Sequence, residues 1–310
     1  MSSMKHLLVC PMGKGKLVDL ACASCRVTFP MNNGVPSFIC QDMYPSKEAY
    51  AAALKIIDFW GAGWEKRLAE PEHKPIFECD ERGLRRWAEQ DIEFQKASDS
   101  IMGVDLPMDS LKGKTVLNIG SGAGTEALLL SVSGANCIAM DVTSQAAQAA
   151  ETLMRKIGSE GMGIQADARC IPLDSSSLDI VYSSGVLHHS PDIARSIAEI
   201  YRVLKPGGKA YVMLYATWSI MFVQMRLMFS TGERAWETGD RTNPHTTTYT
   251  KRECRSLFSR FVNVEVRKTG ASLKQLMAVG KFMPTRFDKL LDPWLGPRLN
   301  IVAEKAGGVS

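Results

Sequence analysis

The residues with the clearest chemical use form an ordered series in the middle of the chain. Gly120-Ser121-Gly122-Ala123-Gly124 follows the apolar run Thr115 to Ile119 and opens an amphipathic helix. Glycines at such a junction let the chain turn sharply and let a ligand lie against the backbone, while the helix start offers free N–H donors. Asp141 ends the next apolar run, Cys137 to Met140, where a carboxylate can accept hydrogen bonds from both hydroxyls of a ribose. Asp167-Ala168 ends a third run, Gly163 to Ala166, where an acid can accept from an exocyclic amine such as that of adenine. A turn residue explains Asp141 alone as well as a ribose does. The three features in order predict one nucleoside site. Thr125 stands where dinucleotide spacing requires glycine, which argues against a nicotinamide enzyme. His188 and His189 lie just past a fourth run, Leu178 to Tyr182, at the edge where open α/β sheets bind ligands, and an imidazole there can serve as a general base.

The elements that must position these residues can be read from pattern. Short apolar runs alternate with amphipathic helices from Gly113 to Tyr215, the signature of a parallel sheet covered on both faces. One helix shows apolar positions at Ala146, Ala150, Leu153, Met154 and Ile157 and closes at Gly158. Ser190 and Pro191 are expected as N-cap and first turn of a helix through Ile193, Ile197, Ile200 and Leu204, which Lys205-Pro206-Gly207-Gly208 should break before a fifth strand, Lys209 to Tyr215. Two later strands are expected at Val262 to Val266 and Leu299 to Ala303. Upstream, helical spacing appears in Tyr50, Leu54, Ile57 and Phe59 and again in Leu84, Trp87, Ile92 and Phe94.

Composition sets the bounds. With 310 residues, 45% hydrophobic and 23% charged, the chain is expected to be globular, with one large domain or a domain and a satellite. A net charge of +4 excludes a polybasic nucleic-acid wrapper while leaving room for a local phosphate-binding patch. Eight cysteines are too sparse for a disulfide scaffold, and the start lacks the pattern of a signal peptide, so a reduced, cytoplasmic setting is expected. The Met-rich run Trp218 to Phe229 is too short to span a membrane and is interrupted by Gln224 and Arg226, although contact with a membrane surface stays open. Oligomeric state is not legible.

Val116 to Gly124, Asp141, Asp167-Ala168, Leu178 to Val181 with Val186 to His189, and Arg202 to Gly208 together resemble the successive motifs of class I S-adenosylmethionine-dependent methyltransferases. The similarity is to the type-11 subgroup, which includes ubiquinone and menaquinone methyltransferases and many small-molecule O-methyltransferases. It implies a Rossmann-like seven-stranded sheet with helices on both faces and a final antiparallel hairpin. It further implies S-adenosylmethionine held by Asn118, Gly120, Ser121, Gly122, Gly124, Asp141, Val142, Asp167, Ala168 and Ser184. Asn118 replaces the family's usual acid, so weakened cofactor binding is expected. By the same resemblance His188 is the expected base for a hydroxyl acceptor, with His189 second to it and a capping or packing role as the alternative for either. Trp60 and Trp64 fit an aromatic lid that excludes water, or a loop anchor. Arg241, His245 and Tyr249, beyond the Met-rich run, could hold a polar group of a partly apolar acceptor, although packing on the sheet is the favoured reading of the Met-rich stripe. Thr247, Tyr249, Thr250 and Glu253 match a pattern of similar enzymes, and Thr250 with Glu253 also forms a capping box.

Cys10, Cys22 and Cys25, with the segment Phe29 to Pro36, resemble the small zinc-ribbon unit of methyltransferase activator subunits. Gly13 stands in place of the fourth cysteine, and His6 and Cys40 are unmotivated substitutes, so a ribbon without zinc, kept for packing, is expected. The other cysteines read as buried small apolar residues. The resulting organisation is a β-rich unit over 1–43, a helical lid and linker over 44–112 and a methyltransferase domain over 113–310 with an acceptor-covering insertion over 216–248. The expected activity is O-methylation of a small molecule without nucleic-acid partners. Methylation of tRNA or protein, and a nucleoside-binding protein without turnover, are the competing readings.

Overall fold

The computed structural model describes residues 3–98, 100–219, 246–271 and 286–307. Two hairpins of two residues per strand come first: β1 (Ala21–Cys22) with β2 (Val27–Thr28), and β3 (Met31–Asn32) with β4 (Val35–Pro36). Three helices follow, α1 (Lys47–Leu68), α2 (Lys74–Glu78) and α3 (Glu81–Ala97). Ser46 caps α1 by accepting from the Ala49 N–H, and Asp80 caps α3 by accepting from the Gly83 N–H. Phe94, expected on the buried stripe of α3, is instead 65% exposed; the face that packs carries Leu84 and Ala88.

The central sheet has seven strands: β5 (Thr115–Ile119), β6 (Asn136–Asp141), β7 (Met162–Gln165), β8 (Leu178–Ser184), β9 (Leu204–Tyr215), β10 (Val262–Thr269) and β11 (Arg298–Glu304), in the spatial order β10-β11-β9-β8-β5-β6-β7. Pairings from β7 through β9 are parallel, whereas β11 runs antiparallel to both β9 and β10. The connecting helices α4 (Thr125–Val132), α5 (Ser144–Lys156) and α6 (Ile193–Val203) cover the two faces, with α7 (Lys251–Leu257) before β10 and α8 (Arg286–Leu295) before β11. Alternation along the strands divides the core. Leu117, Ile119 and Val181 join one apolar cluster, and Val116, Ile180 and Tyr182 another. After β7 the chain crosses back to lay β8 on the other side of β5, which makes the carboxyl ends of β5 and β8 a topological switch point.

Two local expectations are corrected. Asp192, not Ser190, is the N-cap of α6 and accepts from the Arg195 N–H at 3.0 Å; residues Leu187–His189 form a 3-10 turn before it. The Lys205-Pro206-Gly207-Gly208 run does not delay the fifth strand, which begins at Leu204. A register shift against β8 and a left-handed Gly207 (φ 78°) absorb the turn-forming residues while β9 continues. The Thr250–Glu253 capping box is present in both directions.

The N-terminal hairpins are seated on the sheet. The Phe38 N–H donates to the Gln165 carbonyl at 2.8 Å and Ser37 pairs parallel with Gln165, so the chain after β4 covers the exposed edge of β7. Met4, Leu8, Phe29 and Phe38 belong to the same apolar cluster as Leu117 and Ile164. Among the described residues no helix is long and apolar enough to cross a membrane.

Candidate functional site

Each glycine of the loop after β5 is required by position. Gly120, Gly122 and Gly124 all have positive φ. A side chain on Gly120 would strike Val186, and one on Gly124 would strike the backbone of Ala150 at 2.5 Å. Beyond this loop, a cavity of about 150 Å³ opens at the strand ends. Its floor is Ile119, Gly120, Met140, Asp141, Val142, Ala166, Asp167 and Ala168, and its far wall is Gly185 to Leu187, His189 and Ser190, with Ile56, Trp60 and Trp64 of α1 over the top. The strand ends that sequence pattern marked for a nucleoside therefore meet in one place.

Asp141 is buried and fixed. Its Oδ1 accepts from the N–H and hydroxyl of Thr143, both at 2.9 Å, and its Oδ2 accepts from the Gly122 N–H at 3.2 Å. Burial pushes its carboxyl above the usual range, and the three donors oppose that shift. Asp167 is held more strongly. Arg169 donates through Nε to Oδ1 at 3.0 Å and through Nη2 to Oδ2 at 2.6 Å, and the Tyr44 hydroxyl donates to Oδ2 at 3.2 Å. Arg169 also lies over the Tyr44 ring at 5.4 Å.

The two histidines are in different environments. His188 is fully buried, its ring stacked on Tyr215 at 3.8 Å, with neither ring nitrogen hydrogen-bonded. Burial, and then the neighbouring His189, hold it well below the usual imidazole range. It is absent from the cavity lining. His189 lines the cavity, packs on Trp60 at 5.1 Å between centroids, and meets the Thr246 hydroxyl through Nδ1 at 3.0 Å.

Other expected site residues stand outside the lining. Ser121, Gly122 and Gly124 shape the loop behind Gly120, and the Trp64 indole fills the space above Gly122, where a Cβ would be 2.8 Å from it. Ser184 ends β8 one residue short of the cavity wall. Tyr249 is also absent from the lining; it is buried in the core and pairs through its backbone with Ala216 and Tyr215. Arg241 and His245, with the Met-rich run from residue 220 onward, lie outside the described residues.

Asn118 is fully buried behind the cavity lining, beside the Glu126 carboxyl, which its side chain helps to hold down against burial. Close by in the fold, Tyr182 donates to Glu126 of α4 at 3.0 Å, and burial raises the Glu126 carboxyl to about 7. Neither Glu126 nor the pair of Tyr44 with Arg169 was expected from sequence. Arg169 was within reach as a charge two residues from Asp167, whereas Tyr44 depends on how the chain before α1 returns to the sheet.

In the N-terminal hairpins the sulfurs of Cys10, Cys22 and Cys25 lie within 4.8 Å of one another. Three thiols at that separation can touch one ion, which suits zinc apart from its fourth ligand. Gly13 stands at the fourth place: a Cβ there would be 2.8 Å from the Cys25 sulfur. A hydrogen bond with the Ser24 hydroxyl, at 3.3 Å, leads in lowering the Cys22 thiol to about 7, and burial raises the Cys10 thiol to about 11.

Comparison with known proteins agrees with this geometry. Residues 117–212 match the family model described as "Methyltransferase domain". The uncharacterized methyltransferase YcgJ of Bacillus subtilis is 34% identical over 95 residues, covering 30% of this chain and 38% of that protein. Sterol 24-C-methyltransferase of Pneumocystis carinii is 36% identical over 110 residues, covering 34% of this chain and 28% of that protein. The chain thus spans well under half the length of these curated relatives. The crystal structure of YcgJ aligns with 67% of this chain and 99% of its own, with a TM-score of 0.49 and 19% identity. The matched segment runs from β5 into β9 and contains the glycine loop, Asp141, Asp167 and the histidine pair. Through that segment the chain carries a methyltransferase domain.

Proposed function

We propose that the protein transfers a methyl group from S-adenosylmethionine to a hydroxyl of a small, partly apolar molecule. The observation that carries this reading is a single cavity bounded by Gly120, Asp141 and Val142 on its nucleoside side and by His189 and Trp60 on the other. The bound cofactor would supply an electrophilic methyl group. Asp141 would hold the ribose and Asp167 the adenine amine. His189 takes the proton from the acceptor hydroxyl at a ring nitrogen, so that oxygen develops its nucleophilic charge as it attacks. Thr246 at Nδ1 sets the ring orientation. Ile56, Trp60, Trp64 and Leu187 give the cavity apolar walls, which exclude water and suit an apolar acceptor body. The sterol methyltransferase matches over 34% of this chain and 28% of its own length, so its acceptor does not transfer to this chain.

The cavity of about 150 Å³ is smaller than the ~300–1,000 Å³ of typical ligand sites, with Trp64 over Gly122 and Trp60 against His189. An outward shift of α1 would admit the cofactor, and its return would close the site. The test is release of S-adenosylhomocysteine when the protein is incubated with S-adenosylmethionine and a panel of phenols and alcohols. Asp141→Asn should weaken cofactor affinity at least about tenfold while the melting temperature holds within a few degrees. Unchanged affinity in that variant refutes the ribose assignment. Tight cofactor binding with no turnover on any acceptor class favours a binding protein instead.

A further inference from the structure

A second cavity, larger than the one just described, lies elsewhere among the described residues. This groove of about 740 Å³ runs between the turn at Pro11 to Lys14 and α6, and it shares no lining residue with the cofactor cavity. Six cations line it: Lys14, Arg169, Arg195, Arg202, Arg260 and Lys305, against the carboxylates of Asp42 and Glu199. Glu199 is already consumed. It pairs with Lys14 at 3.0 Å and with Arg202 at 2.7 Å, and it also accepts from the Ile171 N–H. Arg169 is committed to Asp167, and Asp42 is exposed at the rim.

The other cations are anchored without being neutralised. Arg195 donates through Nε to the Arg169 carbonyl at 2.9 Å, and Lys305 donates to the Leu204 carbonyl at 2.7 Å. Arg260 and Lys305 lie over the same ring, that of Tyr201, at 4.4 and 5.0 Å from its centroid. Carbonyls and a ring face orient a cation but do not cancel its charge. Burial depresses the Lys305 ammonium below its usual range, and repulsion from Arg260 and Arg202 adds to the effect. A positive field is therefore built into the groove and held in place by hydrogen bonds to the backbone. The +4 charge of the whole chain is too small to explain it as general basicity.

We propose that this groove is a binding site for a small ligand carrying two or more phosphate groups. Planar guanidinium forks suit phosphate oxygens, and several fixed cations around one groove suit a multiply charged anion better than a single carboxylate. The volume falls within the range of small-molecule sites. The ligand is not the methyl acceptor, because the groove adjoins the adenine end of the cofactor cavity, through the Arg169–Asp167 pair, and not the histidine end. This inference does not rest on methyl transfer.

The experiment is calorimetric titration of the full chain with sodium tripolyphosphate at fixed ionic strength, repeated on an Arg195→Gln/Arg260→Gln double variant. One saturable site is expected, weakened at least about tenfold in the variant. The variant should keep the parent's melting temperature and its affinity for S-adenosylhomocysteine, since neither side chain touches the cofactor cavity. Absence of saturable binding overturns the proposal, as does equal affinity in parent and variant or equal competition by sulfate at matched ionic strength. Binding of a single-stranded RNA that tripolyphosphate does not displace, and that the double variant abolishes, overturns it in favour of a nucleic-acid surface.

Discussion

Asp167 sits in the fork of Arg169, with Nη2 at 2.6 Å from Oδ2 and Nε at 3.0 Å from Oδ1, and the pair separates the cofactor cavity from the cationic groove. A carboxylate has about four lone-pair sites, and the fork, the Tyr44 hydroxyl and the Arg169 N–H together occupy them. The arginine keeps the acid aimed. An adenine amine reaching Asp167 from the cavity must share an oxygen with one of these donors or displace the long bond from Tyr44.

That geometry predicts discrimination by the base. The protein should bind S-adenosylhomocysteine at least about tenfold more tightly than its inosine analogue, which lacks the donor amine. In Asp167→Ala the preference should fall to within about threefold, because the acceptor is gone for both ligands. Competitive binding of the two nucleosides measures the ratio directly and does not depend on small losses of stability. Undiminished preference in the variant would place the adenine elsewhere.

The histidine pair should divide into one chemical and one structural residue. His189→Gln should lower kcat about a hundredfold or more while leaving S-adenosylhomocysteine affinity unchanged. His188→Phe should keep the rate, since that ring lies against Tyr215 and outside the cavity. The buried His188 stays neutral where an unfolded chain, near the ordinary value of 6.5, takes up a proton. Stability from this group is thus present above about 6.5 and is lost as pH falls below it. The Phe variant should lose that acid dependence, as read from melting temperature between pH 5 and 8. A large rate loss in His188→Phe with His189→Gln active would reverse the assignment.

Glu126 gives an opposite sign. Its carboxyl is raised to about 7 from an ordinary 4.5, so between those values the unfolded chain ionises while the folded one does not. Its effect on stability therefore becomes less favourable as pH rises from about 4.5 to about 7, then levels off. Glu126→Gln preserves the shape and the acceptor for Tyr182 and removes the charge. The variant should gain melting temperature relative to the parent as pH rises through that window, by about 2 °C or more at pH 8. A difference that does not change with pH would show the carboxyl to be ionised throughout.

How much of this was readable follows from where each residue lies in the chain. Gly120, Asp141 and Asp167 could be found because strand ends are marked by the switch from apolar runs to turn residues, and a parallel sheet brings successive strand ends to one edge. The separation of His188 from His189 was not readable. Adjacent residues in a 3-10 turn point in different directions, and which one meets the cavity is decided by Tyr215 and α1, far away in sequence. The strand through Lys205-Pro206-Gly207-Gly208 was missed for a similar reason. Its turn residues are accommodated by a bulge and by pairing of Gly207 and Gly208 with Lys305, near the far end of the chain. The basic groove needs Lys14, Arg195, Arg260 and Lys305 gathered from four regions, so the summed charge of the sequence conceals it.

The thiol cluster offers a gain-of-function test. Cys10 and Gly13 occupy one tight turn and Cys22 and Cys25 another, and each turn is followed by a left-handed residue, Lys14 and Arg26, both at φ 55°. The two turns are thus related in form, and residue 13 corresponds to Cys25. Its absent side chain would enter the space beside the Cys25 sulfur, which must move slightly to admit it. Gly13→Cys should therefore complete a four-thiolate tetrahedral site. The variant should take up one zinc per chain, and cobalt(II) in its place should show the visible bands of tetrahedral thiolate coordination. The natural chain, with three thiols and an open fourth position, should bind either ion at least about tenfold more weakly. Equal affinity in the two chains would mean that residue 13 does not face the ion, and failure of both to bind would mean that the three sulfurs meet only for packing.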